Sequence, residues 1–327
     1  MENLEQKILE IVQDGFPLEE HPYAILGRLL GVSEDEAFDS VERLRKSGVI
    51  RRLGGVYDSR RLGYISRLCA GVVSEDKLEG FAAAVDKIPA ITHNYVRSHA
   101  YNVWFTVIAR SESEIQETVR GLEAETGLHD AHVLSASKMF KINTVMKSAS
   151  RSSADASGQI AAVRVTGRPV ADKLASKSAE PFVPEAKDRR RINLLCQDIP
   201  HTKTPFSDLG IDIAEIRADL DRGIMRRFGA VLRHQQAGFE ANAMVCLTVA
   251  DTERAGMLLA ENSHVSHCYE RSPFEGFPYN VYAMFHGQSE AELEQSICSA
   301  LSALNGPDHA VLASLKELKK TSFVYFA

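Results

Sequence analysis

The sequence predicts a duplicated α+β protein, in which a helical segment followed by a βαββαβ unit occurs twice along one chain. Three observations predict it. Short strings recur in order at a nearly constant offset: GVIRRLGGV from Gly48 returns as GIMRRFGAV from Gly223, HNYVR from His93 as HCYER from His267, and YNVW from Tyr101 as YNVY from Tyr279. Within each copy, apolar residues keep a helical period first and then switch to the alternation of strands. Between the copies, residues 148 to 187 are rich in Ser, Ala and Pro and lack an apolar period, the composition of a flexible tether. A coil of that length reaches about 35 Å, enough for the halves to pair as an internal pseudo-dimer.

In the first copy, Leu4, Ile8, Leu9 and Val12 share one helical face, Pro17 breaks the run, and Tyr23 to Leu30 make a second helix. Ser33 caps a third helix that runs to about Lys46, and Gly48 ends it. The stretch VIRRLGGVYD reads as a two-stranded element, which gives residues 1 to 62 the outline of a winged helix-turn-helix. Alternation then predicts strand 64 to 73, helix 77 to 88, strands 91 to 97 and 101 to 109, helix 111 to 126 and strand 130 to 138. This is a ferredoxin-like βαββαβ domain over residues 63 to 147. In the second copy the helix-turn-helix falls at 188 to 237 and the βαββαβ domain at 238 to 327, with strands near 265 to 271 and 279 to 286.

At 327 residues, with 44% hydrophobic and 25% charged residues, the chain has room for two or more domains. No apolar run of about 18 residues occurs, and MENLEQKILE lacks a signal-peptide core, so the expected setting is the cytoplasm, away from membranes. Five scattered cysteines without a CxxC pair point to reduced thiols. A net charge of -6 argues against a protein whose main task is neutralising phosphates. The third helix, SEDEAFDSVERLRKSG, sets Glu34, Asp35, Glu36 and Asp39 where a recognition helix meets DNA, and FSDLGIDIAEIRADLDRG in the second half is also acidic and shortened. No specific DNA binding is expected; the helical segments are read as kept for packing and for walling a pocket.

The chemistry concentrates in THNYVRSHAYNVWFT and its altered copy SHCYERSPFEGFPYNVY. On a strand, His93, Tyr95 and Arg97 share one face, as do His267, Tyr269 and Arg271. A turn leads to Tyr101, Asn102 and Trp104 in one copy and to Tyr279 and Asn280 in the other. Such a set suits a flat ligand with carboxylates and an apolar body: arginine forks hold carboxylates, aromatic rings stack, and histidine moves protons or ligates iron. A porphyrin-like macrocycle meets these terms. Arg51 and Arg52, Arg226 and Arg227, and Lys138, Lys141 and Lys316 are further candidate cations for its edge. The remaining histidines show no metal-ligand spacing, and no nucleotide-binding or serine-nucleophile motif occurs.

A helix-turn-helix followed by βαββαβ resembles the Lrp/AsnC regulators. The two aromatic and basic strings, which ordinary regulators of that architecture lack, resemble those of the siroheme decarboxylases, here as a fusion of two related subunits. The resemblance implies removal of the two acetate carboxyls of siroheme as CO2 to give 12,18-didecarboxysiroheme, in heme or heme d1 biosynthesis. It implies no required cofactor, since the iron arrives with the substrate. Loss of CO2 leaves a carbanion-like methylene that needs a proton, for which His93, His99 and His267 are the candidates. Each could instead be an axial iron ligand, with no further metal site from protein alone. Tyr95, Arg97, Tyr101, Asn102, Trp104, Tyr269, Arg271, Tyr279, Asn280, Arg51, Arg226 and Lys138 are the candidate substrate contacts. The competing reading is a heme- or tetrapyrrole-sensing regulator of the same architecture. Further homo-oligomerisation is open.

Overall fold

The computed structural model describes residues 3–142, 182–232 and 241–326. The first half runs α1 (Asn3–Asp14), α2 (Pro22–Leu30), α3 (Glu34–Lys46), β1 (Ile50–Tyr57), β2 (Ile65–Val72), α4 (Leu78–Asp86), β3 (Ile91–Arg97), β4 (Val103–Ala109), α5 (Glu112–Thr126), β5 (His129–Leu134) and β6 (Ala136–Ile142). The second runs α6 (Ala186–Leu195), α7 (Pro205–Leu209), α8 (Ile213–Asp221), β7 (Met225–Leu232), β8 (Ala241–Thr248), α9 (Thr252–Glu261), β9 (Val265–Arg271), β10 (Val281–Gly287), α10 (Glu290–Ala303) and β11 (Asp308–Lys320). Most of the tether assigned to residues 148 to 187 lies outside the described residues.

These elements form two units that cut across the duplication. One gathers the helical segments of both halves with the chain's end; the other gathers both βαββαβ segments. In the helical unit, Ile8, Leu9 and Val12 are buried as their spacing demands. Gly31 ends α2 at φ 71, and Ser33 opens α3 with a reciprocal capping box to Glu36. The acidic start of α3 thus has a structural cause: carboxylates suit the positive end of the helix dipole.

The expected two-stranded wing is instead one strand. β1 pairs antiparallel with its own copy β7, Gly54 opposite Gly229. A two-residue hairpin needs positive φ, and neither Gly54 nor Gly55 has it. These glycines serve close approach: a Cβ on Gly54 would lie 2.5 Å from the carbonyl oxygen of Gln197, and one on Gly229 2.5 Å from that of Val12.

In the sheet unit the strand order is β5-β2-β4-β3-β11-β8-β10-β9-β6. β11 pairs with β8 over Asp308–Ala313 and with β3 from Ser314 onward, passing from its own half into the other. Its counterpart breaks at Ser135, so that β5 stays with β2 while β6 joins β9. One core lies under α4 and α5 around Phe81, Val103 and Phe105, and a second under α9 and α10 around Val245, Phe285 and Ile297. A third core draws on both halves through Ala70, Trp104, Leu134, Met244, Cys246, Tyr282 and Leu312. The strings singled out in the sequence border this shared core.

Candidate functional site

β3 and β9 supply the two copies of the site. Each has a register irregularity at its start, between Ile91 and His93 in β3 and between Val265 and His267 in β9. Beyond it the side chains alternate as expected, and the arginines reach the interior. Arg97 is 5% exposed and Arg271 8%. The Nη1 of Arg97 donates to the carbonyl oxygen of Leu312 at 3.1 Å and to Oγ of Ser314 at 3.0 Å; its guanidinium lies 5.2 Å from the Tyr95 ring centroid. Arg271 repeats the pattern, donating to the carbonyl oxygen of Leu134 at 2.8 Å and lying 5.0 Å from Tyr269 and 5.8 Å from Tyr282.

Neither arginine forms an ion pair with a carboxylate among the described residues, and the Nε of each is buried without a hydrogen-bond partner. Burial lowers the pKa of Arg97 to about 10 and moves Arg271 in the same direction. A desolvated cation without a counterion is costly, so each of these two arginines is a candidate to take an anionic partner. Among the described residues the buried Tyr282 hydroxyl beside Arg271 also has no hydrogen-bond partner, and burial raises its pKa.

The two ends differ. His99 accepts the backbone N–H of Tyr101 on Nδ1 at 3.1 Å, which leaves its proton on Nε2, and burial lowers its pKa. The Tyr101 hydroxyl donates to Oδ2 of Asp130 at 2.8 Å, and Oδ1 of Asp130 lies 2.9 Å from Nε2 of His132. Burial and this carboxylate push the pKa of Tyr101 up to about 12. The second-half insertion PFEGFP turns at Gly276, φ 76, and packs on this group: Phe274 stacks 3.9 Å from His132, and Phe277 lies 5.2 Å from His99 and 5.5 Å from Trp104. The insertion that deprives His99 of a sequence counterpart therefore roofs the first half's aromatic cluster.

Other predicted contacts are engaged within the protein itself. Asn102 holds both backbone polar groups of Val73 through its amide, and Asn280 does the same to Val249, so these amides brace the sheet ends. Trp104 is 1% exposed and donates Nε1–H to the carbonyl oxygen of Tyr101, forming wall rather than surface. Lys138 lies on the other face of the sheet. The irregular β6–β9 register sets it opposite Glu270, on the side covered by α9, and there it pairs with Glu253 instead of facing Tyr269 and Arg271. Arg51 and Arg226 belong to the helical unit, where Arg226 pairs with Asp58.

Comparison with known proteins matches an AsnC-like ligand binding domain at residues 61–141 and 236–319, and a siroheme decarboxylase NirDL-like HTH domain at residues 5–51. A siroheme decarboxylase of Hydrogenobacter thermophilus is 32% identical, covering 100% of this chain and 96% of its own. The chain belongs to the siroheme decarboxylase family. A siroheme decarboxylase alpha subunit of Desulfovibrio desulfuricans is 44% identical over 43% of this chain and 82% of the subunit, so one half here corresponds to one subunit there. A crystal structure of the siroheme decarboxylase NirDL in co-complex with an iron-uroporphyrin III analogue matches with TM-score 0.69 at 28% identity, over 99% of this chain and 95% of that one.

Within this siroheme decarboxylase chain, sequence reasoning missed Asp130, His132, Phe274, Phe277 and Tyr282. Two signals were available. Tyr282 stands where Trp104 stands in the first copy, at the same offset as Tyr279 from Tyr101. Asp130 and His132 alternate along HDAHVL, which sets them on one face of β5.

Proposed function

We propose that this siroheme decarboxylase removes both acetate carboxyl groups of siroheme as CO2 and yields 12,18-didecarboxysiroheme in the cytoplasm. The observation that carries the reading is the pair of buried arginines, Arg97 and Arg271, which sit among aromatic rings without carboxylate partners. Carboxylates of a tetrapyrrole supply the missing charge, and the rings of Tyr95, Tyr269 and Tyr282 supply stacking area. The iron-uroporphyrin analogue bound by the NirDL relative is a ligand of the same class.

Each C–C cleavage leaves an electron pair on a methylene carbon, and one proton converts that methylene to methyl. No electrons are gained or lost overall, so the reading calls for no redox cofactor. An arginine paired to the scissile carboxylate would stabilise the ground state, so Arg97 and Arg271 are assigned to carboxylates that stay. His93 and His267, at equivalent places on β3 and β9, are assigned to proton delivery; His99 and Tyr101 hold the ring near the roof formed by Phe274 and Phe277.

DNA binding has no part in this reading. In the helical unit α3 is engaged by residues 198–203 of the second half: His201 stacks 4.0 Å from Phe38, Arg45 pairs with Asp198, and Lys203 pairs with Asp35. Anaerobic incubation with siroheme, followed by mass spectrometry, tests the activity. Loss of two CO2 per siroheme is expected; siroheme recovered unchanged beside tight binding would favour a sensor.

A further inference from the structure

Two polar side chains next to His267 have no part in the mechanism so far. Ser266 and His286 are 6% and 7% exposed. The irregular register of β9 against β10, Met284 opposite His267 and Phe285 opposite Val265, brings the Ser266 hydroxyl beside the His267 ring. Its Oγ lies 2.8 Å from Nδ1 of His267 and 2.8 Å from Nε2 of His286. A third neighbour, the carbonyl oxygen of Met284, is at 3.5 Å. The backbone of His286 is pinned, its N–H donating to the carbonyl oxygen of His264 at 2.9 Å.

A hydroxyl between two imidazole nitrogens accepts a proton from one while giving its own to the other. We propose that His286 and Ser266 form a proton relay behind His267, an inference that rests on the decarboxylase reading above, in which His267 delivers a proton to siroheme. Before transfer, the His286 imidazolium donates Nε2–H to Ser266, Ser266 donates to Nδ1 of His267, and His267 carries its proton on Nε2. When CO2 leaves, the electron pair on the methylene takes the Nε2 proton. The Ser266 proton moves to Nδ1, and the His286 proton moves to Ser266 Oγ. His267 and His286 end neutral; once the product has left, a solvent proton adds to Nε2 of His267 and the two shifts run in reverse, which restores the imidazolium at His286. No single ring has to pass through an imidazolate.

The first half lacks this arrangement. Thr92 stands for Ser266, with Oγ1 2.9 Å from Nδ1 of His93, but the position of His286 is held by Ile108. The relay therefore assigns the replenished proton donor to the second half.

Ser266→Ala removes the hydroxyl and leaves both rings. With siroheme under anaerobic conditions it should turn over about 10²-fold more slowly, the low end of what a lost general acid removes, with binding by absorption titration unchanged. The solvent deuterium isotope effect should also change from a multi-proton to a single-proton inventory. Ser266→Thr keeps the oxygen and should retain most of the rate. If Ser266→Ala matches the parent in rate and inventory, loses affinity without losing rate, or is no slower than Ser266→Thr, the relay is wrong while the decarboxylase reading stands. Failure of the unaltered protein to convert siroheme would instead remove the reading on which the relay rests.

Discussion

The guanidinium of Arg97 donates to the carbonyl oxygen of Leu312 at 3.1 Å, joining a strand of the first half to the last strand of the second. Its copy Arg271 does the same in reverse through Leu134. A buried cation would ordinarily seek a carboxylate, and carbonyl dipoles and ring faces replace it here only in part.

This arrangement separates stability from binding. Arg97→Met and Arg271→Met should each weaken siroheme binding by about 1.5 to 3 kcal/mol, the worth of a shielded charged hydrogen bond. The ligand-free protein should be as stable as the parent or more so, because an uncompensated buried charge is gone. Absorption titration and urea denaturation measure the two quantities. A large loss of stability with unchanged affinity would make the arginines structural.

The β1–β7 pairing makes a second prediction. Gly54→Ala and Gly229→Ala drive a methyl into backbone carbonyls and should destabilise by about 1 to 3 kcal/mol, as overpacking does. A Cβ at Gly80 on α4 would meet only open space, and Gly80→Ala should stabilise by about 0.5 to 1 kcal/mol. Denaturation midpoints showing all three substitutions neutral would contradict the close approach.

The same glycines show how far the sequence could be read. Helix ends were legible because Ser33 and Gly48 state their roles locally. The fate of VIRRLGGVYD was not, because a strand whose partner lies in the distant copy carries no local mark that separates it from a hairpin. The alternation that joins His93, Tyr95 and Arg97 was plain; the face on which Lys138 lies was not, because it depends on register shifts that period-two counting cannot see. The relay of Ser266 and His286 depends on a β-irregularity, again a property of pairing rather than of sequence.

Burial lowers the pKa of His99 below its ordinary value near 6.5. In the unfolded chain the ring takes a proton at about pH 6.5, while in the folded protein it resists until lower pH. The unfolded state then binds more protons in that window, so stability falls as pH drops through it. His99→Gln should flatten this acid limb without altering stability above pH 7. Denaturant midpoints between pH 5 and pH 8 give the comparison, and an unchanged limb would place the proton uptake elsewhere.

The final prediction separates proton delivery from iron ligation at His93 and His267. A proton donor acts after substrate is seated, so His93→Ala and His267→Ala should lower turnover by about 10² to 10⁴ while leaving affinity close to the parent's. The second half has the hydroxyl and the second imidazole behind its histidine, whereas the first has Thr92 and Ile108. His267→Ala should therefore be the slower of the two. An axial ligand gives another signature: its loss shifts the visible spectrum of bound siroheme and weakens binding before any CO2 is released. Single-turnover mass spectrometry alongside the absorption titration reads both. Spectral shifts in either variant would assign that histidine to the iron, and the proton would then have to come from His99 or from a tyrosine hydroxyl.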